Sequence, residues 1–389
     1  MKSTLKRTWA EIDLSALSYN YKKIREHIGD DVMFCGVVKA DAYGHGAVMI
    51  SECLQDLGAD YLAVSSIDEA MELRFNGITM PILILGHTPR EQVGRLICFN
   101  ITQAVTCEAK AIEYSEEAVR YGGTLKVHIK VDTGMSRLGY ICEGDYFEHG
   151  VEGICDACAL PGLDAEGIFT HFAVADEDGD GYREYTDHQF KLFCDVVSSV
   201  EQKRGIDFKI KHCANTGATY SLPQTYLDMV RPGLLLYGYG EFARKLGLRP
   251  VMTMKTTVST IKIYPPKTRI SYGGIYVTDK QTRIGVIPYG YADGFLRCLS
   301  DKYEVYTSDG AARVCGRICM DMCMIDLTDK PGVGVGDEIE IFGKNNPIEK
   351  MADIAGTIPY EIVCAVSKRV HRVYLKDGEV IHSEVMLRM

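Results

Sequence analysis

Eight short apolar runs, spaced by stretches of helical periodicity, constrain what this chain can fold into. They are Met33–Val38, Tyr61–Val64, Pro81–Leu85, Thr102–Val105, Val127–Val131, Gly167–His171, Phe208–His212 and Met229–Leu235. Each is rich in β-branched or aromatic residues and none alternates strictly, which is the pattern of strands buried on both faces. Around and between them run apolar stripes of 3.6-residue period, such as Leu14, Leu17, Tyr21, Ile24 and Ile28, or Phe190, Phe193, Val197 and Val200. Eight strand-then-helix units predict a (β/α)8 barrel of the α/β class. An open doubly wound sheet is the alternative. The absence of a G-x-G-x-x-G after the first run weighs against it.

The texture changes near residue 242. Val251–Tyr264, Thr282–Pro288, Tyr303–Tyr306, Ala312–Val314, Cys323–Leu327 and Glu338–Phe342 read as strands separated by proline and glycine turns, with one good helical stretch near Ile348–Ala355. The expected division is a barrel over 1–242 and a mainly-β domain over 243–389, with the first ten or so residues free to pack on the second domain. A chain of 389 residues has ample length for both.

The formal net charge of −10 leaves no basic excess for non-specific nucleic-acid binding. No run of about 18 apolar residues is present, so no membrane span is expected. The leading MKSTLKRTWAEIDL has basic residues without an apolar stretch behind them, so no secretory signal is expected. Fourteen cysteines in a chain this long read as reduced thiols of a cytoplasmic protein. Cys155 and Cys158 form one C-x-x-C inside an expected helix. Without a second pair, a metal or redox role is disfavoured and no metal is expected.

The densest chemical signal is FCGVVKADAYGHG. An apolar strand delivers Lys39 at its C-terminal end, the end that faces the active site in a (β/α)8 barrel. Gly44 and Gly46 let the backbone turn tightly afterwards. Lysine forms Schiff bases with carbonyl groups. On these grounds alone, a functional Lys39 and a snorkelling surface lysine both stay open.

The segment VVKADAYGHG closely resembles the cofactor-lysine motif of bacterial alanine racemases, pyridoxal-phosphate isomerases built from a barrel and a β domain. The resemblance runs from RTWAEIDLSAL at 7–17 to TIPYEIVCAVSKR at 357–369. Between them come KVDTGMSRLG, THFAVAD, HCANTGAT, DMVRPGLLLYG, ISYGGIY, IPYGYADG and GRICMDM, in the family's order. It implies interconversion of L- and D-alanine, a homodimer, and pyridoxal 5′-phosphate held through the Lys39 amine. Lys39 would then serve as a base on one face of the substrate Cα. Tyr272 of the other subunit would serve on the opposite face, as inversion requires. A phenol ordinarily titrates at about 10, so such a site must favour the phenolate.

By the same resemblance Arg231 faces the pyridine nitrogen and, being permanently protonated, keeps that nitrogen unprotonated. His171 lies beside the second base. Thr216, Gly233, Leu234, Tyr43 and Tyr360 contact the cofactor, mostly at its phosphate. Arg137 binds the substrate carboxylate, helped by Met320 of the other subunit. Lys130 matches a lysine that is carbamylated in part of the family. Asp176, Arg297, Arg317 and Ile358 match the outer mouth of its substrate channel, or are solvated surface positions. Tyr360 is bulky where related serine racemases tend to carry a smaller polar residue, which favours alanine. The rival readings are a serine or broad-specificity racemase of the same fold, a decarboxylase sharing the barrel and lysine, and a non-catalytic pyridoxal-phosphate-binding protein.

Overall fold

The computed structural model describes residues 7–385. These form two compact units, one of residues 21–42 and 47–236, the other of residues 7–20, 43–46 and 237–385.

The first unit is a barrel. Its parallel strands are Met33–Val37, Tyr61–Val64, Ile82–Ile84, Thr102–Val105, Leu125–Asp132, Leu163–Phe169, Ile210–His212 and Met229–Val230. Each of the first six is hydrogen-bonded to the next, and the eighth pairs with the first through Met229↔Met33 and Val230↔Phe34. The seventh and eighth are joined outside the regular ladder, by Asp228 N–H to Lys211 O and Arg231 N–H to Ala214 O, both 3.0 Å. The ring of strands is therefore nearly closed. Every residue of Tyr61–Val64 and of Thr102–Val105 is buried. This two-sided burial is why the runs are continuous rather than alternating.

Helices cover the outside. Asp180–Arg204 buries Phe193, Val197 and Val200 of the expected stripe and Val196 beside them, while Phe190 is half-buried. Ile67–Phe75 starts on a reciprocal cap, with the Ser66 hydroxyl accepting from Glu69 N–H and the Glu69 carboxylate accepting from Ser66 N–H. Cys155 and Cys158 sit in the helix Phe147–Ala159, and neither is in a disulfide.

In the second unit Thr8–Asp13 is a central strand. It runs antiparallel to Met252–Thr257 and parallel to His371–Lys376, within a seven-stranded sheet. A three-stranded sheet of Thr260–Tyr264, Thr282–Ile287 and Cys323–Asp326 and a two-stranded hairpin complete it.

Several expected elements differ. The eighth barrel strand ends at Val230 rather than Leu235, because Pro232 has no N–H and the chain turns at Gly233, whose carbonyl accepts from Leu236 N–H. Val251–Tyr264 is two strands in two sheets. The ladder breaks at Val258 and Ser259, whose N–H groups bond to Asp337 O and Val286 O. The helix Ile348–Ala355 is present, and the short helices Glu241–Lys245 and Pro359–Cys364 add to it.

The segment Lys39–Gly44 is helical but left-handed. Ala40, Asp41, Ala42, Tyr43 and Gly44 have φ of 53°, 56°, 50°, 53° and 79°. Gly44 also has no room for a side chain, since a Cβ there would lie 2.4 Å from Val363 O. Gly44→Ala is expected to destabilise the fold by about 1–3 kcal/mol. Thermal unfolding of the variant would show it, and an unchanged midpoint would contradict the reading.

Candidate active site

In the barrel unit the left-handed turn after Lys39 is tied down near its start. Ala40 N–H donates to Glu69 Oε1 at 2.7 Å, and Ala42 N–H to Val38 O at 2.8 Å. Asp41 Oδ1 accepts from Ala47 N–H at 2.8 Å. The turn thus fixes the direction in which the half-buried Lys39 leaves the first strand.

Arg231 follows the eighth strand and is only 4% exposed. Its Nη1 donates to His212 Nδ1 at 2.7 Å. Its Nη2 donates to Thr170 O at 2.8 Å and Cys213 O at 3.2 Å, and approaches His171 Nδ1 at 3.4 Å. The guanidinium also lies over the Phe169 ring, 5.5 Å from its centroid. Among the described residues no carboxylate is paired with it in an ion pair.

This buried cation sets the protonation of its neighbours. Burial, then Arg231, then Lys130, Arg137 and Lys39 hold His171 well below its usual range, so its ring is neutral. Lys130 donates to Val131 O at 2.9 Å and lies 5.2 Å from the Phe169 centroid. Burial first, and then Arg231, push its amine down to about 7, against the pull of Asp132. Lys39, Lys130, Arg137, His171 and Arg231 therefore share one electrostatic neighbourhood. Thr216 and Gly233 are also joined, with Gly233 N–H donating to Thr216 Oγ1 at 3.0 Å, and Leu234 is buried beside them in sequence. Asp132 Oδ1 accepts from Gly134 and Ser136 N–H, both 3.0 Å, and so shapes the loop that presents the exposed Arg137.

In the second unit the Tyr43 ring packs edge-on against Tyr360 and Tyr237, with centroids 5.7 Å and 5.3 Å away. Burial raises the Tyr43 phenol, which stays a proton donor. Tyr272 is 70% exposed and shares with the exposed Met320 a cavity of about 520 Å³, lined also by Ser271, Arg269 and Asp321. Ser271 has φ 65° and ψ −178°, a conformation strained for a side-chain-bearing residue, and its hydroxyl donates to Arg317 O at 2.6 Å. The Arg317 guanidinium comes within 3.2 Å of the place a Cβ would take on Gly273. Asp176, Arg297 and Ile358 are exposed and make no side-chain hydrogen bond to the other candidates.

The alanine racemase N-terminal domain matches residues 12–241, and the alanine racemase C-terminal domain matches residues 251–374. The chain belongs to the alanine racemase family. Alanine racemase 2 of Caldanaerobacter subterraneus subsp. tengcongensis is 41% identical, with 100% of each chain covered. Alanine racemase 1 of Clostridium acetobutylicum is 43% identical over 97% of each. Among solved structures, the alanine racemase of Clostridium difficile 630 has a TM-score of 0.93 at 38% identity, covering 99% of this chain and 100% of that one. The alanine racemase from Bacillus anthracis with bound L-Ala-P has a TM-score of 0.88 at 32% identity, covering 98% of each.

Sequence reasoning passed over several residues of this family site. Glu69 anchors the lysine turn, and its signal was the S-x-x-E cap at 66–69. Ser271 holds the backbone before Tyr272. His212 accepts from Arg231, although its segment HCANTGAT carried the family resemblance through Thr216.

The Lys130 value gives a pH test. Its folded pKa of about 7 lies below the ordinary 10.5, so the unfolded chain binds the extra proton between those values. Stability from this group therefore rises with pH across that window, and the burial penalty is fully present below it. In buffer freed of carbon dioxide, Lys130→Met is expected to be more stable than wild type at neutral pH and to lack that rise. Urea midpoints across the window test this, and parallel profiles would contradict it.

Proposed function

We propose that this chain interconverts L- and D-alanine with pyridoxal phosphate bound at Lys39. The observation that carries the reading is the buried Arg231 cation, without a paired carboxylate among the described residues, in the same barrel neighbourhood as a lysine fixed by a strained turn. The residues fit that cofactor. Lys39 offers an amine to its aldehyde. The hydroxyl-bearing loop of Thr216 and the Gly233–Leu234 loop follow the seventh and eighth strands, where barrels of this kind recurrently bind phosphate. Arg231 offers a donor that never loses its proton to a ring nitrogen. Tyr43 and Tyr360 are assigned phenolic contacts by the family resemblance.

Pyridoxal phosphate, when bound, supplies the electron sink that makes the Cα–H of an amino acid acidic. Lys39 Nζ removes or returns the proton on one face, and Tyr272 Oη of a second copy acts on the other. Arg137 receives the substrate carboxylate, with Met320 of the second copy alongside it. His171, neutral beside Arg231, can accept or share a hydrogen bond without adding charge. By the family resemblance, the bulk of Tyr360 would limit the space for a substrate side chain and favour alanine over serine.

A homodimer supplies the second copy. Tyr272, Ile275, Val277, Met320 and Met322 are all exposed, an apolar surface in one unit that calls for a cover. A cytoplasmic location is supported by the number of cysteines that stand outside disulfides, Cys98, Cys107 and Cys298 being exposed among them. No helix among the described residues is long and apolar enough to cross a membrane. The Lys130 amine, partly neutral near its lowered pKa, can add carbon dioxide, releasing one proton and leaving a carbamate anion near Arg231 and Arg137. Repeating the Lys130→Met comparison with added bicarbonate reads this step, because only wild type should then change in stability.

Lys39→Ala is expected to lose the visible absorbance of the bound cofactor and at least about 100-fold in racemisation, and Tyr272→Phe to lose activity on a similar scale. Co-expression of the two inactive chains should restore activity, since one site of a mixed dimer then contains both intact bases. Continued inactivity of well-formed mixed dimers would refute the shared site. Full activity of Lys39→Ala would refute the cofactor assignment.

Tyr272→Phe should also slow α-proton exchange in deuterated water more from L-alanine than from D-alanine. Equal, small effects from both enantiomers would remove its assignment to the opposite face.

A further inference from the structure

Behind Arg231 a chain of buried polar side chains runs down the inside of the barrel. It accounts for three titratable groups that the racemisation reading leaves unused: His212, His128 and Glu166. His212 ends the seventh strand, His128 lies within the fifth and Glu166 within the sixth. Both imidazoles are completely buried. At the far end stand Tyr61 and Thr102, the first residues of the second and fourth strands, on the face of the barrel opposite the strand C-termini.

The donors and acceptors allow one assignment of protons. Arg231 Nη1 can only donate, so His212 Nδ1, 2.7 Å away, must accept. With both rings neutral, His212 then carries its proton on Nε2, which meets His128 Nδ1 at 2.8 Å. His128 Nδ1 must accept in turn, so its proton sits on Nε2. That nitrogen has no partner within hydrogen-bond distance, and Glu166 Oε1 lies 3.6 Å from it. Tyr61 Oη donates to the same oxygen at 2.8 Å, and Thr102 Oγ1 lies 3.3 Å from it.

The surroundings are built for this arrangement. A Cβ on Gly167 would come within 2.7 Å of the His128 ring, so glycine there makes room for the imidazole. The Phe169 ring is stacked on His212 with centroids 4.8 Å apart and planes 2° from parallel. Burial pushes His212 well below its usual range, and Arg231 pushes it the same way. Burial also lowers His128, against the pull of Glu166. Burial would raise the Glu166 carboxyl, but His128 and Tyr61 outweigh it and hold it down to about 2. The chain therefore has a fixed negative end, two neutral rings and a fixed positive end.

We infer that Glu166 is a positioning residue for Arg231, acting through His128 and His212 as an ordered pair of Nε2–H tautomers. The inference rests on the reading of Arg231 as the group facing the cofactor ring. A carboxylate in direct contact with Arg231 would occupy the donors meant for that ring. Glu166 lies two rings away and keeps some solvent access, with its side chain 12% exposed. It supplies countercharge and orientation while leaving the guanidinium donors at the mouth of the barrel uncommitted to a carboxylate.

The test is ¹⁵N NMR of ring-labelled histidine in the full-length, cofactor-loaded protein, beside steady-state kinetics. Wild type should show His128 and His212 as neutral Nε2–H tautomers at neutral pH. Glu166→Gln preserves shape but removes the charge, and its amide can donate as well as accept. The variant should show a second tautomer at one or both rings and about a tenfold loss of kcat, with KM for alanine within about twofold of wild type. A Nδ1–H tautomer or an imidazolium at His212 in wild type would overturn the proposal without any variant having to fold. So would unchanged tautomers or unchanged kcat in a well-folded Glu166→Gln. Failure of the cofactor reading shows elsewhere, as activity retained by Lys39→Ala.

Discussion

The cost of burying one guanidinium organises the barrel interior. Removing an ion of this size from water costs several kcal/mol even after relaxation. Here the charge is met by two backbone carbonyls, two imidazole nitrogens and the face of Phe169. Because Arg231 cannot shed its proton, the adaptation falls on its neighbours. His171 and His212 are held neutral, and Lys130 is brought down to about 7. A group of nominally basic side chains thus behaves as one permanent cation surrounded by groups tuned to it. This is also why a chain with net charge −10 can present a locally positive site to a small carboxylate.

A second constraint is conformational. Five successive residues of left-handed backbone follow Lys39, four of them not glycine, at about 1–2 kcal/mol each. Such a run persists only where the surroundings over-determine it. In the barrel unit Glu69 and Asp41 do so through backbone N–H groups. In the other unit the fully buried Arg372 donates to Gly44 O at 3.1 Å and to the carbonyls of Val366, Ser367 and Val370. Three charged side chains, two acidic and one basic, are therefore committed to backbone around one turn. An ordinary right-handed helix there would need none of them, and it would send the lysine in another direction.

The legible parts of the sequence were those whose physics is local. Seven of the eight barrel runs were read within a few residues, because two-sided burial writes itself into every position of a strand. The eighth was drawn too long, since apolar residues continue through Pro232 although the ladder cannot. Thr8–Asp13 was not read as a strand at all. Its six residues carry no unusual signal, and both partners lie more than two hundred positions away, at Met252–Thr257 and His371–Lys376. Val251–Tyr264 looked continuous because hydrophobicity does not report a change of sheet. In the candidate site, Lys39 stood out because a charged residue ended an apolar strand beside two glycines. His128 and Glu166 did not, since each is one polar residue in a strand. Their meaning appears only when three strands bring them into line.

The remaining candidates differ in kind from these buried groups. Tyr272 and Met320 are exposed beside a cavity of about 520 Å³, and the backbone before Tyr272 is strained and pinned by Ser271 to Arg317 O. Strain held at an exposed position gains nothing for the isolated chain, but it limits how far Tyr272 can wander before a partner arrives. In the proposed dimer the buried half of the chemistry is set by folding, and the exposed half is completed by association. Activity then follows two equilibria rather than one. Dilution that separates subunits would remove the opposite-face base while leaving Arg231, His171 and the cofactor lysine in their folded arrangement, so loss of racemisation should precede loss of fold.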